Sequence, residues 1–266
     1  MCGIAGYSLS PASRIDRTLA AQALLAAIAE RGADAVGYAY RTPEAPIAVR
    51  KQRSGASEIL DEVEVPADVT EVLVHVRDYT KGHPRIAANN HPIRHGPVVG
   101  IHNGIIFNDD ELLEDHDCAR SEPGMTVDSE AIFALAAHSD ADPAALERLR
   151  GSMASAWLDE RQRGAVFLAR GVGRPLWLGQ GRDATFFAST ERALEIAARC
   201  VGIRLRRREL AEGTLVVLEN GAKAGEFSFE PDRRFEERPL PAVRAPQEGA
   251  YCLDRLATLA AIPLAG

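Results

Sequence analysis

The chain has 266 residues, of which 46% are hydrophobic and 26% are charged, and its formal net charge is −7. This length suits one large domain or two small ones, and the apolar share is enough for a substantial core. A net negative charge argues against a phosphate-backbone partner, so we expect no nucleic-acid binding. The longest apolar runs fall short of the roughly 18 residues of a membrane span, and no basic segment opens the chain as in a signal peptide. We therefore expect a cytoplasmic protein that does not associate with membranes.

The predicted elements of the first half begin with an apolar strand over residues 1–7. Ser13 or Asp16 can then cap an amphipathic helix that ends near Gly32, because apolar residues recur there at helical spacing. Further along we predict a hairpin over 43–57, a buried strand over 71–77, an irregular loop over 78–95, a central strand over 97–106, a short helix in a capping box of Asn108 and Glu111, and a helix that follows Asp128.

Strands dominate the predicted second half of the chain. We predict a helix from Asp142–Pro143 to near Gly151, strands over 154–158, 165–169, 175–178 and 185–188, a helix over 189–200, and strands over 203–205 and 214–219. Helices and antiparallel strands without βαβ regularity predict an α+β layered sandwich.

The composition changes at residue 231, where Arg, Glu and Pro become frequent. We therefore predict a folded domain over 1–230 and a C-terminal tail over 231–266, in which Pro239, Pro241 and Pro246 precede a short apolar helix over 251–260. Two interpretations of this tail stay open: an element that docks on another protein, or a strap that packs on its own domain.

The cysteines are far apart in the sequence and show neither a CxxC motif nor a Cys/His ligand spacing. This argues against a disulfide framework and against a zinc site, so we expect no metal. Cys2 stands out because removal of Met1 would leave a thiol and a free α-amino group on one residue. An α-amino group titrates near neutrality and can activate such a nucleophile. The alternative is an ordinary buried cysteine in an apolar strand.

Six short motifs follow one another along the first half of the chain. They are Cys2-Gly3-Ile4-Ala5-Gly6, Arg31-Gly32-x-Asp34-x-x-Gly37, His75-x-Arg77-x-x-Thr80-x-Gly82, His91-Pro92, His102-Asn103-Gly104-Ile105-Ile106 and Thr126-x-Asp128-Ser129-Glu130. Together, in this order and at these separations, they resemble the glutaminase domain of class II (N-terminal nucleophile) glutamine amidotransferases. That family includes the domains of glucosamine-6-phosphate synthase, amidophosphoribosyltransferase and asparagine synthetase.

The resemblance implies a four-layer αββα sandwich, with two antiparallel sheets between helices, and hydrolysis of the side-chain amide of L-glutamine. Cys2 would be the nucleophile, with its own amino group as proton carrier, and no organic cofactor would take part. Asn103 and Gly104 would donate hydrogen bonds to the oxyanion. The Asn-Gly dipeptide also favours a type I′ hairpin turn, which is the alternative for these two residues.

The resemblance also implies a glutamine site. Arg77 would bind the α-carboxylate, Asp128 would hold the α-ammonium group, and Thr80 and Gly82 would belong to the loop that covers the substrate. The alternatives are a surface arginine at a strand end for Arg77 and a plain helix N-cap for Asp128. Asp34 would be a turn residue that supports the first strand.

Three histidines, His75, His91 and His102, are more readily structural than catalytic, because the amino group of residue 2 already supplies a base. The covering loop departs from the family pattern, in which Arg-Trp-Ala-Thr-His-Gly is frequent. Here Asp78 replaces the apolar residue after Arg77. This puts in question how the loop closes and whether the substrate is free glutamine or a γ-glutamyl compound.

Three hypotheses about function follow from these residues. The first is a stand-alone glutaminase subunit that passes ammonia to a separate acceptor enzyme, because only about 36 residues follow the matched region. The second is a self-sufficient amidohydrolase that cuts a γ-glutamyl amide in a small molecule. The third is a non-catalytic glutamine-binding partner, which agrees poorly with the presence of Cys2, Asn103 and Arg77.

Overall fold

The structure is a computed structural model that describes residues 1–42, 46–140, 142–238 and 240–261. Within these residues the strands are β1 (Gly3–Leu9), β2 (Ala35–Tyr40), β3 (Ala48–Gln52), β4 (Glu71–Arg77), β5 (Ile93–His95), β6 (Val98–Ile106), β7 (Gly151–Asp159), β8 (Ala165–Arg170), β9 (Trp177–Gln180), β10 (Ala184–Ala188), β11 (Arg206–Glu209), β12 (Thr214–Glu219) and β13 (Ala222–Ser228). The α-helices are α1 (Arg17–Ile28), α2 (Asp109–Asp115), α3 (Glu130–Ser139), α4 (Glu191–Cys200) and α5 (Pro246–Leu259).

The strands form two sheets in which neighbouring strands are antiparallel. The first sheet has the order β11-β9-β10-β1-β4-β2-β3, and the second has the order β13-β12-β8-β7-β6-β5. A cluster of buried side chains lies between the sheets, and it includes Ile4, Ile101 and Leu168. Helices α1 and α4 cover the outer face of the first sheet and α5 packs against α1, whereas α2 and α3 cover the outer face of the second sheet. The predicted α+β sandwich, with its four layers αββα, is confirmed.

Strand β1 lies in the middle of the first sheet, between β10 and β4. Ala5, Tyr7 and Leu9 belong to the core beneath the helices, whereas Ile4 belongs to the core between the sheets. Because side chains alternate between the two faces of a strand and both faces are covered here, the sequence is apolar except for Ser8. This burial fixes the start of the chain inside the molecule.

Helix α1 begins where the sequence predicts. Of the two candidate caps it is Asp16 that acts, since its Oδ1 accepts a hydrogen bond from the N–H of Leu19 at 2.9 Å. The helix continues as a short 3-10 turn to Arg31, and Gly32 follows it. The bounds predicted for the hairpin are wrong, because it pairs β2 with β3 and its first strand therefore precedes the range 43–57. Residues 43–45 of that range lie outside the described residues.

Several local predictions in the first half are wrong. The stretch 78–95 is not wholly irregular, because it contains a 3-10 turn over Ala87–Asn89 and strand β5. Asn108 does not cap α2 with its side chain. Its Oδ1 instead accepts from the N–H of Arg150, and its Nδ2 donates to the carbonyl of Arg148. The side chain therefore ties two chain segments together.

In the second half the strand predicted over 203–205 is wrong, and β11 follows at 206–209 instead. Strand β13 was not predicted, because most of its residues are exposed and only a few are apolar. The segment that begins at Asp142–Pro143 is a 3-10 helix to Arg148 rather than an α-helix. Helix α5 begins at Pro246, five residues before the predicted start.

The C-terminal segment packs along α1. Cys252 and Leu256 of α5 are buried in the core beneath the first sheet's helices. The carboxylate of Glu248 accepts hydrogen bonds from the N–H and the hydroxyl of Ser57, and the N–H groups of Arg244 and Ala245 donate to the carbonyl of Glu30. Pro239 and residues 262–266 of the predicted tail lie outside the described residues. Of the helices that the structure describes, none is both long and apolar enough to cross a membrane.

Candidate active site

Side chains hold the backbone at the start of β1, at Cys2 and at Ile4. Arg31 donates a hydrogen bond from its Nε to the carbonyl of Cys2 at 2.9 Å. Two residues further along, the N–H of Ile4 donates a hydrogen bond to the hydroxyl of Ser189 at 2.9 Å. The strand pairs Gly3 with Val76 of β4, so Cys2 lies beside the end of that strand. The nucleophile predicted from the sequence is therefore rigidly positioned.

The thiol of Cys2 faces the loop that follows β4. Its Sγ lies 3.4 Å from the carbonyl oxygen of Asp78 and donates to it. Burial raises the pKa of this thiol, while the hydrogen bond to Asp78 and the positive charge of Arg77 oppose that shift. At neutral pH the thiol is consequently protonated and requires a base to become a nucleophile.

The α-ammonium group of Met1 forms an ion pair with the carboxylate of Asp78. The same carboxylate lies 3.4 Å from the Nε of Arg244. With Met1 in place the nitrogen of Cys2 is part of a peptide bond, whose resonance withdraws its lone pair. In this unprocessed form residue 2 has no basic amino group.

One small cavity brings together five of the seven residues predicted to act on the substrate: Cys2, Arg77, Thr80, Gly104 and Asp128. The other lining residues are Tyr79, Lys81, His91, His102, Val127 and Ser129. The cavity volume is about 10 Å³, which is about the space that one water molecule needs. The site is therefore closed in this conformation, and a molecule the size of glutamine requires the covering loop to open.

Arg77 is a buried residue, with 2% of its surface exposed, so the surface alternative is wrong. Its guanidinium group donates to the Oδ1 of Asn90 at 2.7 Å and to the carbonyls of Lys81 and Gly82. Burial lowers the pKa of Arg77, which the neighbouring Cys2 and Asp128 partly offset. Gly82 thus contacts the site through its carbonyl group rather than as a lining residue.

Asp128 does not cap helix α3, which begins after Ser129. Its Oδ2 instead accepts a hydrogen bond from the N–H of Ile106 at 2.7 Å, so the N-cap alternative is wrong. Burial raises the pKa of Asp128 to about 6, and the hydrogen bond from Ile106 opposes this shift. A carboxylate held in this way loses its negative charge as the pH falls below about 6.

We expect this titration to appear in glutamine binding. If Asp128 holds the α-ammonium group, only its ionised carboxylate pairs with the ligand. The dissociation constant of L-glutamine should then rise by about tenfold per pH unit below about pH 6 and stay constant above that pH. Calorimetric binding to the Cys2→Ala variant between pH 5 and 7.5 measures this without turnover. Asp128→Asn should bind weakly with a flat profile, and an unchanged profile in Asp128→Asn would exclude the assigned role.

Asn103 and Gly104 lie within strand β6, paired with Ala154 and Met153 of β7. The hairpin-turn alternative is therefore wrong. Among the described residues, neither side-chain atom of buried Asn103 has a hydrogen-bond partner. Gly104 has a φ of +151°, and a Cβ there would lie 1.9 Å from the carbonyl oxygen of Ser152, so only glycine fits. An unpaired buried amide is costly, and this group keeps its full capacity to donate and accept hydrogen bonds.

The three motif histidines are buried and neutral at physiological pH. Burial lowers the pKa of His75 and of His102 to about 3, and it lowers that of His91 well below its usual range. The rings of His75 and His91 stack with their centres 4.3 Å apart, and His102 Nδ1 lies 2.9 Å from the hydroxyl of Ser129. These contacts support the structural interpretation, although His91 and His102 also line the cavity.

The covering loop is anchored by residues that the sequence analysis did not place in the site. Asp34 accepts a hydrogen bond from the N–H of Tyr79 at 2.9 Å, so it supports this loop rather than the first strand. Lys81 forms an ion pair with buried Asp109 at 2.6 Å. The contact of Asp34 could have been sought from the sequence, because Asp34 belongs to one of the six motifs. No feature of the sequence indicates that Lys81 pairs with Asp109.

Comparison with known proteins agrees with this arrangement. Residues 82–196 match a family model described as a glutamine amidotransferase domain. A glutamine–fructose-6-phosphate aminotransferase (isomerizing) from Gluconobacter oxydans is 32% identical over 209 residues, which is 75% of this chain and 33% of the relative. The chain thus spans about a third of the length of that relative.

Two solved structures share the fold. A glutamine phosphoribosylpyrophosphate amidotransferase from B. subtilis superposes with a TM-score of 0.67 at 19% identity, covering 87% of this chain and 50% of the other. A glutamine aminotransferase class-II domain protein from Silicibacter pomeroyi superposes with a TM-score of 0.54 at 18% identity, covering 86% of this chain and 100% of the other.

The two antiparallel sheets between helices define the fold of an N-terminal nucleophile hydrolase. Within that class, the chain carries a class II glutamine amidotransferase domain. The resemblance inferred from the six motifs is therefore confirmed, as is the prediction of an enzyme of this kind.

Proposed function

We propose that the protein hydrolyses the side-chain amide of L-glutamine to glutamate and ammonia, with Cys2 as nucleophile. The observation that carries this proposal is the single cavity that Cys2, Arg77, Gly104 and Asp128 share beneath one loop. A nucleophile, a cation for a carboxylate and an anion for an ammonium group are the features that a free amino-acid substrate requires. The family match supports the same chemistry.

The proposed reaction begins after Met1 has been removed. The free amino group of Cys2 takes the thiol proton, and the Sγ attacks the side-chain carbonyl carbon of glutamine. The resulting oxyanion accepts hydrogen bonds from the amide of Asn103 and the N–H of Gly104. The amino group returns its proton to the leaving nitrogen, so ammonia departs and a thioester remains. Water activated by the same amino group then hydrolyses the thioester and releases glutamate.

Substrate recognition is assigned to the buried charges on either side of the thiol. Arg77 would bind the α-carboxylate, since a planar guanidinium group suits a carboxylate. Asp128 would bind the α-ammonium group, and Thr80 and Gly82 would contribute to the covering loop. All four positions lie in or against the closed cavity, which supports this assignment.

The decisive experiment measures glutamate released from L-glutamine by purified protein, with the intact mass recorded for each preparation. We expect turnover from a chain that begins at Cys2 and none from Cys2→Ala, because alanine leaves no nucleophile. Cys200→Ser, which changes a buried thiol on α4, is the matched control and should retain activity. No turnover from a correctly processed parent chain would contradict the proposal.

We further propose that the ammonia is passed to a separate acceptor enzyme. The aminotransferase relatives support transfer of nitrogen to an acceptor, although this chain matches only a third of their length. An alternative is a self-sufficient amidohydrolase for a γ-glutamyl compound. It is favoured by Asp78, whose backbone carbonyl accepts a hydrogen bond from the thiol and whose carboxylate pairs with residue 1, because this adds a polar group at the edge of the site that the family pattern does not have. Comparing kcat/KM for L-glutamine and for a γ-glutamyl anilide distinguishes the two.

We also infer that residues 231–266 act as a strap on the domain formed by 1–230. The burial of Cys252 and Leu256 against α1 and the pairing of Arg244 with Asp78 support this interpretation over a docking element.

A cytoplasmic location is proposed as well. All four cysteines fall within the described residues and are free thiols, which suits a reducing compartment.

A further inference from the structure

Three potential metal ligands meet on the outer side of the second sheet, outside the cavity that holds Cys2. His95 ends strand β5, Cys118 follows helix α2, and His138 lies in the last turn of α3. One ring nitrogen of each histidine and the Sγ of Cys118 all lie within 4.8 Å of one another. The three residues are far apart in sequence, so their spacing gave no sign of a shared site.

Hydrogen bonds fix the tautomer of both imidazole rings. The Nδ1 of His95 lies 3.0 Å from the carboxylate of Glu130, and the Nδ1 of His138 lies 2.8 Å from the backbone carbonyl of Ala134. An ionised carboxylate and a carbonyl only accept hydrogen bonds, so each Nδ1 carries the proton. Each ring therefore presents an Nε2 lone pair, which is the arrangement that oriented metal-binding histidines show.

The distance between the sulfur and one ring nitrogen is close to that in a tetrahedral site. The Sγ of Cys118 lies 3.6 Å from the Nε2 of His138 and 3.8 Å from its Nδ1, so the imidazole ring must turn before its Nε2 lone pair points to an ion bound by the sulfur. A zinc ion with Zn–S of about 2.3 Å and Zn–N of about 2.0 Å places sulfur and nitrogen about 3.5 Å apart. The ligand atoms of the three residues lie within 4.8 Å of one another, so binding of one ion requires them to move closer together. Cys118 is half-buried and His138 is exposed, so solvent can reach the site.

We propose that His95, Cys118 and His138 bind one Zn²⁺ ion, with a water molecule at the fourth position. A thiolate together with imidazole nitrogens selects zinc over magnesium or calcium, which take oxygen ligands. Glu130 acts as the outer partner of His95, and its other contacts to Arg120 and Ser121 hold it in place. The ion joins β5, the segment after α2 and the end of α3 in one cross-link.

His116 is the nearest further candidate for the fourth position. Its ring centre lies 5.8 Å from that of His138, but its Nε2 accepts a hydrogen bond from Arg148 at 2.5 Å. That cation occupies the lone pair that a metal would need, and it would repel the ion. The fourth position is for this reason assigned to water.

The test measures zinc binding by the purified full-length chain in a Cys2→Ala background, which removes the other reactive thiol. We expect one equivalent of Zn²⁺, measured by competition with a chromophoric chelator, and an increase in Tm when zinc is added. Cobalt substitution should give the intense visible spectrum of a tetrahedral thiolate site. Cys118→Ser and His138→Ala should each weaken zinc binding by at least ~100-fold, because loss of a residue that only hydrogen-bonds to a metal ligand already lowers metal affinity by ~10–100-fold.

Cys200→Ser is the control for loss of an unrelated thiol and should bind zinc as the parent does. Cys118 and His138 are at least partly exposed, so their variants should have the same Tm as the parent in the presence of a chelator. An unchanged Tm under these conditions distinguishes the loss of a zinc ligand from misfolding. No binding by the folded parent, or equal affinity in Cys118→Ser, would overturn the proposal. None of these measurements depends on glutamine turnover.

Discussion

Glutamate release from L-glutamine should be strongly reduced in chains that carry any residue before Cys2 and should increase when that residue is removed. The amide nitrogen of an extended chain cannot accept the thiol proton. Burial meanwhile keeps the pKa of Cys2 above its ordinary value. Since a positioned base contributes typically ~10²–10⁴ in rate, we expect at least ~100-fold less activity with the extension in place.

This comparison can be made within one preparation of a fusion protein that carries a protease site directly before Cys2, so that cleavage leaves Cys2 as the first residue. Activity is measured before and after cleavage, with intact mass recorded at each stage. The same fusion with Cys2→Ala should stay inactive throughout. An uncleaved fusion as active as the cleaved protein would show that the amino group of residue 2 is not the base.

The second large effect concerns Asn103. Asn103→Ala should lower kcat by about 10²–10³ while KM changes by only a few fold, because an oxyanion donor acts in the transition state. Stability should change little, since the amide of Asn103 makes no hydrogen bond that would be lost among the described residues. The loss of a few buried atoms is offset by the removal of an unpaired polar group.

Steady-state kinetics and thermal unfolding on the same samples measure both effects. Ser155→Ala is the matched control, because Ser155 lies on the neighbouring strand and donates to the carbonyl of Ile101 from within the same core. It should lose some stability and keep its kcat. If Asn103→Ala retained kcat, the oxyanion role would be wrong; a large drop in Tm would instead assign Asn103 to the core.

The layered architecture was predictable because the central strands are rich in apolar and β-branched residues. Strands β1, β4 and β6 show this composition, which identifies buried strands without any structural information. Strand β11 reads Arg-Arg-Arg-Glu and β13 is mostly exposed, so both lack that signal. Their pairing depends on the sheets that they border, which is tertiary information.

The site was predictable to the extent that its residues fall in short motifs. Cys2, Arg77, Gly104 and Asp128 each belong to one, and the cavity brings them together. The partners that hold them in place were not predictable. The ion pairs of Asp78 with Met1 and of Lys81 with Asp109 join residues that lie far apart in the chain. Such contacts cannot be predicted from periodicity or from the spacing of residues.

The contacts of Arg77 have a consequence for affinity. Its guanidinium group is already occupied by the carbonyls of Lys81 and Gly82, which belong to the covering loop. Under the proposed role, the α-carboxylate of glutamine must displace these groups, so the loop is an internal competitor of the substrate. The apparent dissociation constant then equals the intrinsic one divided by the fraction of molecules whose loop is open. Affinity for glutamine is thereby set as much by the closed loop as by the binding groups themselves.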